Sequence, residues 1–375
     1  MIEEFQQVYE NRHEYARKWK ERTGGKVMGY LCTYVPEEVL YAANVLPVRL
    51  LGDHTPQSVT EPHLFAMYCP FCRDVLAQGL KGKYDYLDGI VIAQSCLHIR
   101  QTFSSWREHR PTEFSYLIPM PNAVQSKSAA KFYKEEVIKF KDAVQAWVGK
   151  EITEDDLTRG VEIVNGNRKL MKAVYNLRKA ECPPMTGTES MYMVVASQLM
   201  DKEAHNQIVS ELLERELYDR LQQRNTGKRL MVLGSENDDF KFMNMVESVG
   251  STIVIDDHCT GSRYFWDEVP PGSDLLKAIA DRYIARTPCP SKDWPLRKRF
   301  DRILEFTKDY HVDGAIIVQQ KFCDPHETDK VALLDMFAQN NIPTLCLEFD
   351  VTVPLGPMRI RVDAFLETLA GEDLF

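Results

Sequence analysis

The chain has 375 residues, which predicts two or three domains, and its 46 Lys and Arg against 55 Asp and Glu give a net charge of −9 at pH 7. An acidic chain lacks the basic face that a broad nucleic-acid footprint requires, so we expect no nucleic-acid partner. No apolar run approaches the roughly 18 residues of a membrane span, and the charged N-terminus lacks the apolar stretch of a secretory signal, which together predict no membrane contact and a cytoplasmic location.

Residues 1–125 show the alternation of strands and helices that is typical of a Rossmann-like α/β domain. The predicted strands are short and nearly continuous apolar runs, as expected for parallel strands that are buried on both faces. A helix is predicted from Pro36, because two acidic residues follow this proline at the first turn. The four strands are predicted within Lys26–Val35, Val48–Gly52, Gly89–Cys96 and Glu113–Met120.

Residues 126–225 have a different pattern, in which charged residues are frequent and apolar residues recur at helical spacing. Thr153, followed by a run of acids, predicts the capped start of a long helix. We interpret this segment as a helical module that joins two α/β domains. The polar, glycine-containing stretch Arg224–Arg229 marks its end.

Residues 226–375 return to strand and helix alternation, and one stretch repeats a pattern from the first domain. Asp85–Cys96 and Asp309–Cys323 each contain a Tyr, an Asp-Gly pair, an apolar strand, a Gln and a terminal Cys. The fold class predicted is therefore α/β, with two doubly wound parallel sheets and equivalent cysteines at equivalent strand ends. The strands of this domain are predicted within Lys228–Glu236, Ser251–Cys259, Gly314–Cys323 and Ile342–Asp350.

Nine cysteines are spread over the chain, and an odd number in a cytoplasmic protein does not predict a disulfide framework. The simplest interpretation is buried, inert thiols. Cys96 and Cys323, however, fall at the carboxyl ends of predicted strands, where open parallel sheets bind ligands. Cys69 precedes a helix predicted to begin near Arg73, a position that lowers the pKa of a thiol. Three thiolates from two domains suit an iron–sulfur cluster with one iron open to another ligand.

Other interpretations of the same region remain open. Cys69 and Cys72 form a CxxC pair, which also occurs in redox dithiols and in halves of zinc sites. A zinc site would need a second such pair, and Cys72 is interpreted as a helix residue. His98 and His109 are candidate proton donors near Cys96. The sequence contains no GxxxxGK[ST] motif, so no P-loop for ATP is predicted.

The chain resembles the benzoyl-CoA reductase/2-hydroxyacyl-CoA dehydratase family over essentially its full length. Within it, the Lys-Phe-Cys-Asp-Pro motif at 321–325 is similar to the smaller core subunit, the C-type subunit of the reductase or the β-type subunit of the dehydratase. The Glu-Ala-His-Asn-Gln stretch at 203–207 slightly favours the reductase. One departure is Leu97, since family members often carry Asp after the middle cysteine. Further segments that carry the resemblance are Gly29–Gly52, Cys69–Cys96, Ile342–Asp350 and Met358–Leu369.

The resemblance implies that Cys69, Cys96 and Cys323 hold a [4Fe–4S] cluster. It implies a heterodimer with a larger homologous core subunit, and an acyl-CoA substrate. A separate ATPase activator, with its own [4Fe–4S] cluster and ferredoxin as upstream donor, would use the ATP. The implied reaction is the two-electron reduction of benzoyl-CoA or a close aromatic analogue, with low-potential electrons and in an anaerobic setting.

Three alternatives accompany this interpretation. The first is a 2-hydroxyacyl-CoA dehydratase subunit, which eliminates water by a radical route and recycles one electron. The second is a stand-alone protein with a double-cubane cluster, which would require extra ligands such as Cys72. The third is an electron-transfer subunit without substrate contact. In all of them Cys182 and Cys289, in proline-rich loops, are expected to lie away from the cluster.

Overall fold

The structure is a computed structural model that describes residues 2–220, 225–294 and 296–371. Two four-stranded parallel sheets lie among helices, which confirms the predicted α/β fold of two Rossmann-like domains. The predicted boundary at Arg224 and the three residues before it lie outside the described residues. No helix in the described ranges is long and apolar enough to cross a membrane.

The first sheet has the strand order β2-β1-β3-β4, and all neighbouring strands are parallel. Its two central strands and β2 are almost entirely buried, whereas the edge strand β4 is half-buried. The strands are β1 (Lys26–Tyr30), β2 (Val45–Arg49), β3 (Gly89–Ala93) and β4 (Phe114–Ile118). The helices of this part are α1 (Ile2–Glu10), α2 (Arg12–Thr23), α3 (Glu37–Ala42), α4 (Pro70–Leu80) and α5 (Leu97–His109).

The middle of the chain is helical, as predicted. The Thr153 hydroxyl accepts the backbone N–H of Asp156 at 3.1 Å, and the Asp156 carboxylate accepts the backbone N–H of Thr153 at 3.0 Å, which completes a capping box. The predicted cap is therefore confirmed. The helices are α6 (Ala129–Val148), α7 (Glu154–Leu177), α8 (Gly187–Ser197) and α9 (Lys202–Leu212), the last continued by a π-helical turn at Leu213–Leu217.

The second sheet has the strand order β6-β5-β7-β8 and is again fully parallel. Its strands are β5 (Lys228–Gly234), β6 (Ser251–Asp257), β7 (Gly314–Gln320) and β8 (Thr344–Phe349). Its helices are α10 (Phe240–Glu247), α11 (Ser262–Phe265), α12 (Leu275–Ala285), α13 (Arg299–Asp309), α14 (Asp324–Gln339) and α15 (Leu355–Ala370), with a short 3-10 turn at Pro290–Lys292.

The two sheets share one topology. In each sheet, the first strand in sequence lies between the second and the third, and the fourth strand pairs with the third. β3 and β7 therefore occupy the same position in their sheets. Cys96 and Cys323 both follow these strands directly and precede the next helix. The repeated sequence pattern thus corresponds to a repeated position in the fold, as predicted.

The parts of the chain pack tightly against one another. Helix α12 contacts α6, and Ile279 and Tyr283 of α12 share a hydrophobic core with Val91 of β3 and Tyr133 of α6. Residues of all three predicted parts therefore contribute to one core. The division into 1–125, 126–225 and 226–375 stays a prediction.

An ion pair crosses from the first sheet to the second. The His54 side chain follows β2, and its Nε2 lies 2.8 Å from Oδ1 of Asp238, which follows β5. Burial alone would lower the pKa of His54, but the carboxylates of Asp238, Asp239 and Asp74 outweigh it and raise the pKa to about 10. The pair therefore contains a charged histidine at neutral pH.

We expect this pair to make stability fall at alkaline pH. The pKa of His54 in the folded protein lies above its unfolded value of about 6.5, so the protonated histidine stabilises the fold fully below pH 6.5. This contribution, roughly 2–3 kcal/mol, is lost as the pH rises towards 10. Between pH 7 and 10, wild type should lose that much more free energy of unfolding than His54→Gln, as measured by urea denaturation. Because burial and Asp238 raise the pKa of Glu236 to about 8 while the His54 charge lowers it, all proteins are compared in a Glu236→Gln background.

A matched control is available in His311, which is exposed at the end of α13. His311→Asn suits the left-handed backbone there, where φ is 50°, and should keep the wild-type slope. An unchanged slope in His54→Gln would contradict the assignment.

Candidate functional site

Three cysteines occupy the same local position, the N-cap of a helix. Cys69 caps α4, Cys96 caps α5 and Cys323 caps α14. The helix after Cys69 begins at Pro70 and not near Arg73 as predicted, because proline at the first helical position needs no hydrogen-bond donor and has a suitable φ. All three helices direct the positive end of their dipole at a thiol, which favours negative charge there.

The fold brings thiols of two domains together. The Cys69 thiol lies near the thiols of Cys323, Cys72 and Cys96, which all affect its pKa. The hydroxyl of Ser235, which follows β5, lies near Cys323 and lowers the pKa of that thiol. The three predicted ligands therefore belong to one constellation between the carboxyl ends of the two sheets.

The thiols themselves are not acidic, contrary to the prediction for Cys69. The hydrogen bond from Cys323 lowers the pKa of Cys69, but its bond to Cys72 and its burial raise it more. Burial raises the pKa of Cys96, and the hydrogen bond to Cys69, together with burial, raises that of Cys323. The sequence argument considered the helix N-terminus alone, whereas desolvation of a thiolate depends on tertiary packing.

His98 connects all three cysteine segments. Its Nδ1 accepts the backbone N–H of Cys69 at 3.1 Å, so the ring proton of the neutral form is on Nε2. Nε2 lies 3.6 Å from a carboxylate oxygen of Asp324, the residue after Cys323. The ring also packs on Tyr68 with 4.6 Å between centroids. His98 thus holds the Cys69 turn and aims a donor at the start of α14.

A second connection involves Asp350, at the end of the Ile342–Asp350 segment. Arg73 of α4 donates to its carboxylate at 2.7 Å, and the Lys321 ammonium lies 3.3 Å from it. Because Arg73 follows Cys69 and Lys321 precedes Cys323, this carboxylate links the two cysteine segments across the domain boundary. Sequence reasoning did not single out Asp350, although its segment was among those noted.

The residue before Cys323 has an unusual backbone conformation. Phe322 has φ of 58°, in the left-handed region that non-glycine residues rarely adopt, and its ring is exposed. Such strain persists only where surrounding structure holds the segment, and it concentrates at functional sites. Here the turn positions Cys323 at the start of α14.

A cavity of about 480 Å³ opens beside Cys96. Its walls come from both domains, since Cys96, His98 and Asn122 form one side and Trp294 and Asp324 belong to the other. This volume is within the range of small-molecule sites, and His98 provides a hydrogen-bond donor in its wall. The cavity therefore adjoins the cysteine constellation on the side of Cys96.

Exposed apolar side chains lie on the segments that carry the cysteines and the cavity wall. Leu97 and Trp294 line the cavity, and Phe65 stacks on Tyr68, which in turn contacts His98. A cluster of large exposed apolar residues is unusual on a soluble surface and marks an interaction site. We call this set the rim patch; it comprises Phe65, Met67, Leu97, Trp294, Leu296 and Phe322.

The remaining cysteines divide into two groups. All nine are free thiols, in agreement with the absence of a predicted disulfide framework. Cys289 interacts electrostatically with Cys96, so the expectation that it lies away from the site is wrong. Cys32 also interacts electrostatically with Cys96. Cys182 follows Glu181, whose carbonyl accepts a hydrogen bond from Arg229 at the start of β5, the opposite end of the sheet from the cysteine constellation. Proline-rich loop composition does not reveal that residues 289–294 fold back over the cleft.

His109 lies at the last turn of α5, the opposite end from Cys96. Its ring packs on His63 with 4.1 Å between centroids. The structure thus brings His98, but not His109, to the cysteines.

The donor set fits an iron–sulfur cluster. Among residues 2–220, 225–294 and 296–371, no three His, Cys, Asp or Glu side chains form a group that could hold a metal ion. In a cluster, each thiolate bonds to a different iron, so the thiols surround it rather than converge on one point. Three soft donors at three helix N-termini suit that arrangement and would stabilise its negative charge.

The protein thus belongs to the α/β proteins that contain two Rossmann-like domains, and it carries cysteines at equivalent strand ends of both sheets. Within this class, residues 32–369 match the family model described as 2-hydroxyglutaryl-CoA dehydratase, D-component. The chain belongs to this family, as the sequence resemblance implied.

Characterised relatives match nearly the full chain. It is 28% identical over 370 residues to the (R)-phenyllactyl-CoA dehydratase beta subunit of Clostridium sporogenes, covering 98% of both chains. It is 24% identical over 363 residues to the C subunit of benzoyl-CoA reductase from Thauera aromatica, covering 94% of both chains. The beta subunit of (R)-2-hydroxyglutaryl-CoA dehydratase from Acidaminococcus fermentans is 24% identical over 379 residues, covering 98% of this chain and 99% of that one. These relatives are subunits of enzymes that act on acyl-CoA compounds.

Proposed function

We propose that this chain is the [4Fe–4S]-carrying smaller core subunit of an ATP-dependent acyl-CoA enzyme, with Cys69, Cys96 and Cys323 as the cluster ligands. The observation that carries the proposal is the meeting of these three thiols, from two domains, at the N-termini of three helices. When bound, the cluster would supply reversible one-electron transfer at low potential. We place the protein in the cytoplasm of an anaerobic cell.

The chain's own residues prepare this site. The dipoles of α4, α5 and α14 favour thiolates, and burial excludes water from the sulfurs. His98 and Asp350 hold the cysteine segments in register across the domain boundary. The protein therefore presents its ligands with little rearrangement, which lowers the cost of binding.

Among the reactions of the family, we propose first the two-electron reduction of benzoyl-CoA or a close aromatic acyl-CoA. The Glu-Ala-His-Asn-Gln stretch that favours it has a structural role, because His205 is fully buried and its ring nitrogens lie 2.9 Å from Asn167 and from the Met193 carbonyl. The supporting comparison is the nearly full-length match to the C subunit of the reductase.

The second candidate is a 2-hydroxyacyl-CoA dehydratase subunit. The higher identity to the phenyllactyl-CoA dehydratase beta subunit, 28% against 24%, favours it. The two reactions differ in electron use: the reductase consumes two electrons per product and the dehydratase recycles one.

A double-cubane cluster on a stand-alone chain is a further candidate. The Cys69 thiol contacts Cys72, and Cys32 and Cys289 face Cys96, so additional sulfur ligands lie close by. Iron content separates this arrangement from a single cluster, since the larger cluster contains about twice the iron per chain.

The decisive experiment is anaerobic purification followed by iron, sulfide and electron counting. About four irons and four sulfides per chain, with a second homologous subunit, would support the proposal. If turnover of benzoyl-CoA with the activator consumes two electrons per product, the result would support the reductase. If turnover of a 2-hydroxyacyl-CoA needs only a catalytic amount of reductant, it would support the dehydratase. Protein that is folded yet binds no iron after anaerobic reconstitution would contradict both.

The partners follow from the same proposal. The larger homologous subunit would cover the rim patch, because that patch lies on the segments that carry the cysteines and the wall of the cavity beside Cys96. An ATPase activator carrying its own [4Fe–4S] cluster, reduced by ferredoxin, would deliver electrons and use the ATP. The acyl-CoA substrate binds within the resulting complex.

His98 is proposed as the residue that donates a proton towards the cavity through Nε2. His98→Gln should reduce turnover by roughly 10²–10⁴-fold, the usual contribution of a general acid, while the EPR signal and the iron content stay close to wild type. Activity of the purified complex and EPR on the same sample provide the measurement. His109→Gln is the control, and wild-type turnover in His98→Gln would exclude the role.

A further inference from the structure

A buried lysine lies beside the cysteine constellation. Lys292 is fully buried in the 3-10 turn that follows Cys289. Its ammonium donates to the side-chain oxygen of Asn122 at 3.2 Å. The backbone is held on both sides, because the N–H of Lys292 donates to the Cys289 carbonyl at 2.8 Å and its carbonyl accepts the N–H of Val124 at 3.4 Å. The ammonium is thus fixed inside the protein.

A second buried lysine shows what is unusual about Lys292. Lys202 is also buried, but its ammonium lies 3.1 Å from the Glu37 carboxylate and donates to the Ser197 carbonyl at 2.6 Å. Within the described ranges, no carboxylate lies at ion-pair distance from the Lys292 ammonium. A buried charge without a counter-charge is strongly unfavourable, so a charged Lys292 requires an anion, and no carboxylate of the described residues provides it.

The groups that face Lys292 are sulfurs. Burial lowers the pKa of Lys292, whereas Cys32, Cys289 and Cys96 act in the opposite direction, so a negative charge on any of these sulfurs would stabilise the lysine cation. Asn122 and Cys96 also line the same cavity, so the ammonium points to the side of the constellation where Cys96 is located. The missing counter-charge is therefore expected at the position of the thiolates.

We propose that Lys292 is a positioning residue that compensates the negative charge of the iron–sulfur cluster and thereby raises its reduction potential. This inference rests on the proposed function, because it requires the cluster on Cys69, Cys96 and Cys323. A cluster with three thiolates is anionic and gains one more negative charge when it accepts an electron. A fixed ammonium nearby stabilises the reduced form more than the oxidised form. The role requires the charged lysine, whose proton the negative charge of the cluster would hold against the effect of burial, and no covalent bond is made or broken.

The test is a redox titration of the anaerobically purified complex with dithionite and mediators, followed by the EPR signal of the reduced cluster. Lys292→Met and Lys292→Gln should each shift the equilibrium about tenfold towards the oxidised form, which for a one-electron couple corresponds to a potential lower by about 59 mV. Lys292→Arg retains the charge and should remain within about twofold of wild type.

The matched control removes a buried lysine together with its partner. Lys202→Met/Glu37→Gln eliminates that ion pair without leaving an unpaired charge, and should leave the potential unchanged. Iron and sulfide analysis of each protein confirms that the cluster is present. Two independent neutral variants are used so that poor folding of one does not decide the outcome.

The outcomes separate the two proposals. If wild type contains the cluster and the reduction potentials of Lys292→Met and Lys292→Gln equal that of wild type, the role of Lys292 is overturned and the cluster assignment stays intact. Equal shifts of the reduction potential in the neutral Lys292 variants and in Lys202→Met/Glu37→Gln would overturn the role of Lys292 as well, because the loss of any buried lysine would then have the same effect. Wild type that binds no cluster would overturn the proposed function and this inference together.

Discussion

Replacing Cys323 by Ser is expected to remove most of the iron from the purified protein and to abolish turnover. A serine hydroxyl is a harder and far less acidic ligand than a thiol, so it does not replace the thiolate that the cluster requires. Iron per chain should fall from about four to about one or less, with a matching loss of sulfide and of the EPR signal of the reduced cluster. Cys69→Ser and Cys96→Ser should behave in the same way, because the three thiols form one constellation.

The control for this experiment is Cys182→Ser, at a half-buried site between α7 and α8 that lies near the amino end of β5. It should retain the wild-type iron content. Cys289→Ser is unsuitable as a control because Cys289 faces Cys96. Circular dichroism of all variants establishes that the fold survives. A full complement of iron in Cys323→Ser would contradict the ligand assignment.

Placing a negative charge on the rim patch is expected to prevent association with the larger core subunit. Trp294→Glu and Phe65→Glu each introduce a carboxylate into an apolar surface, and burying it in an interface without a partner costs at least about 2–3 kcal/mol. The dissociation constant should therefore rise by roughly 30- to 150-fold for each variant. Gel filtration and binding measurements with the larger subunit separated from the native complex provide the readout.

Matched controls come from exposed apolar residues elsewhere. Ile360 on α15 and Val331 on α14 are as exposed as the rim residues but do not line the cavity, so Ile360→Glu and Val331→Glu should bind normally. The variants change the surface only, and their thermal unfolding should match that of wild type. Normal binding by Trp294→Glu and Phe65→Glu would place the partner on another face.

The strands and the repeated half-domain were predictable because their signals are local. All eight predicted strand regions contain or overlap the observed strands, since a parallel strand buried on both faces needs a short continuous apolar run. The Thr153 cap was predictable for the same reason, because the cap and its partner are three residues apart. The start of α4 was misplaced by three residues, since Pro70 was not taken as the first helical position.

The environment of the cysteines was not predictable in the same way. Whether a thiol at a helix N-terminus is acidic depends on its burial, and burial comes from residues distant in sequence. Cys289 and Lys292 belong to a proline-rich loop, and only folding brings that loop to the cavity beside Cys96. Asp350 was hidden for a similar reason, because its partners Arg73 and Lys321 belong to different domains.

The sequence by itself determined the α/β class, the two sheets and the family, and it singled out Cys69, Cys96 and Cys323 as candidate ligands. The class and the sheets follow from local periodicity, and the family follows from motifs that are contiguous in the chain. The tertiary structure decided which other groups lie near those thiols: His98, the rim patch, and Lys292, whose ammonium has no carboxylate partner within the described residues. Electrostatic energies inside a protein depend on distance and desolvation in three dimensions, and neither quantity is encoded by spacing along the chain.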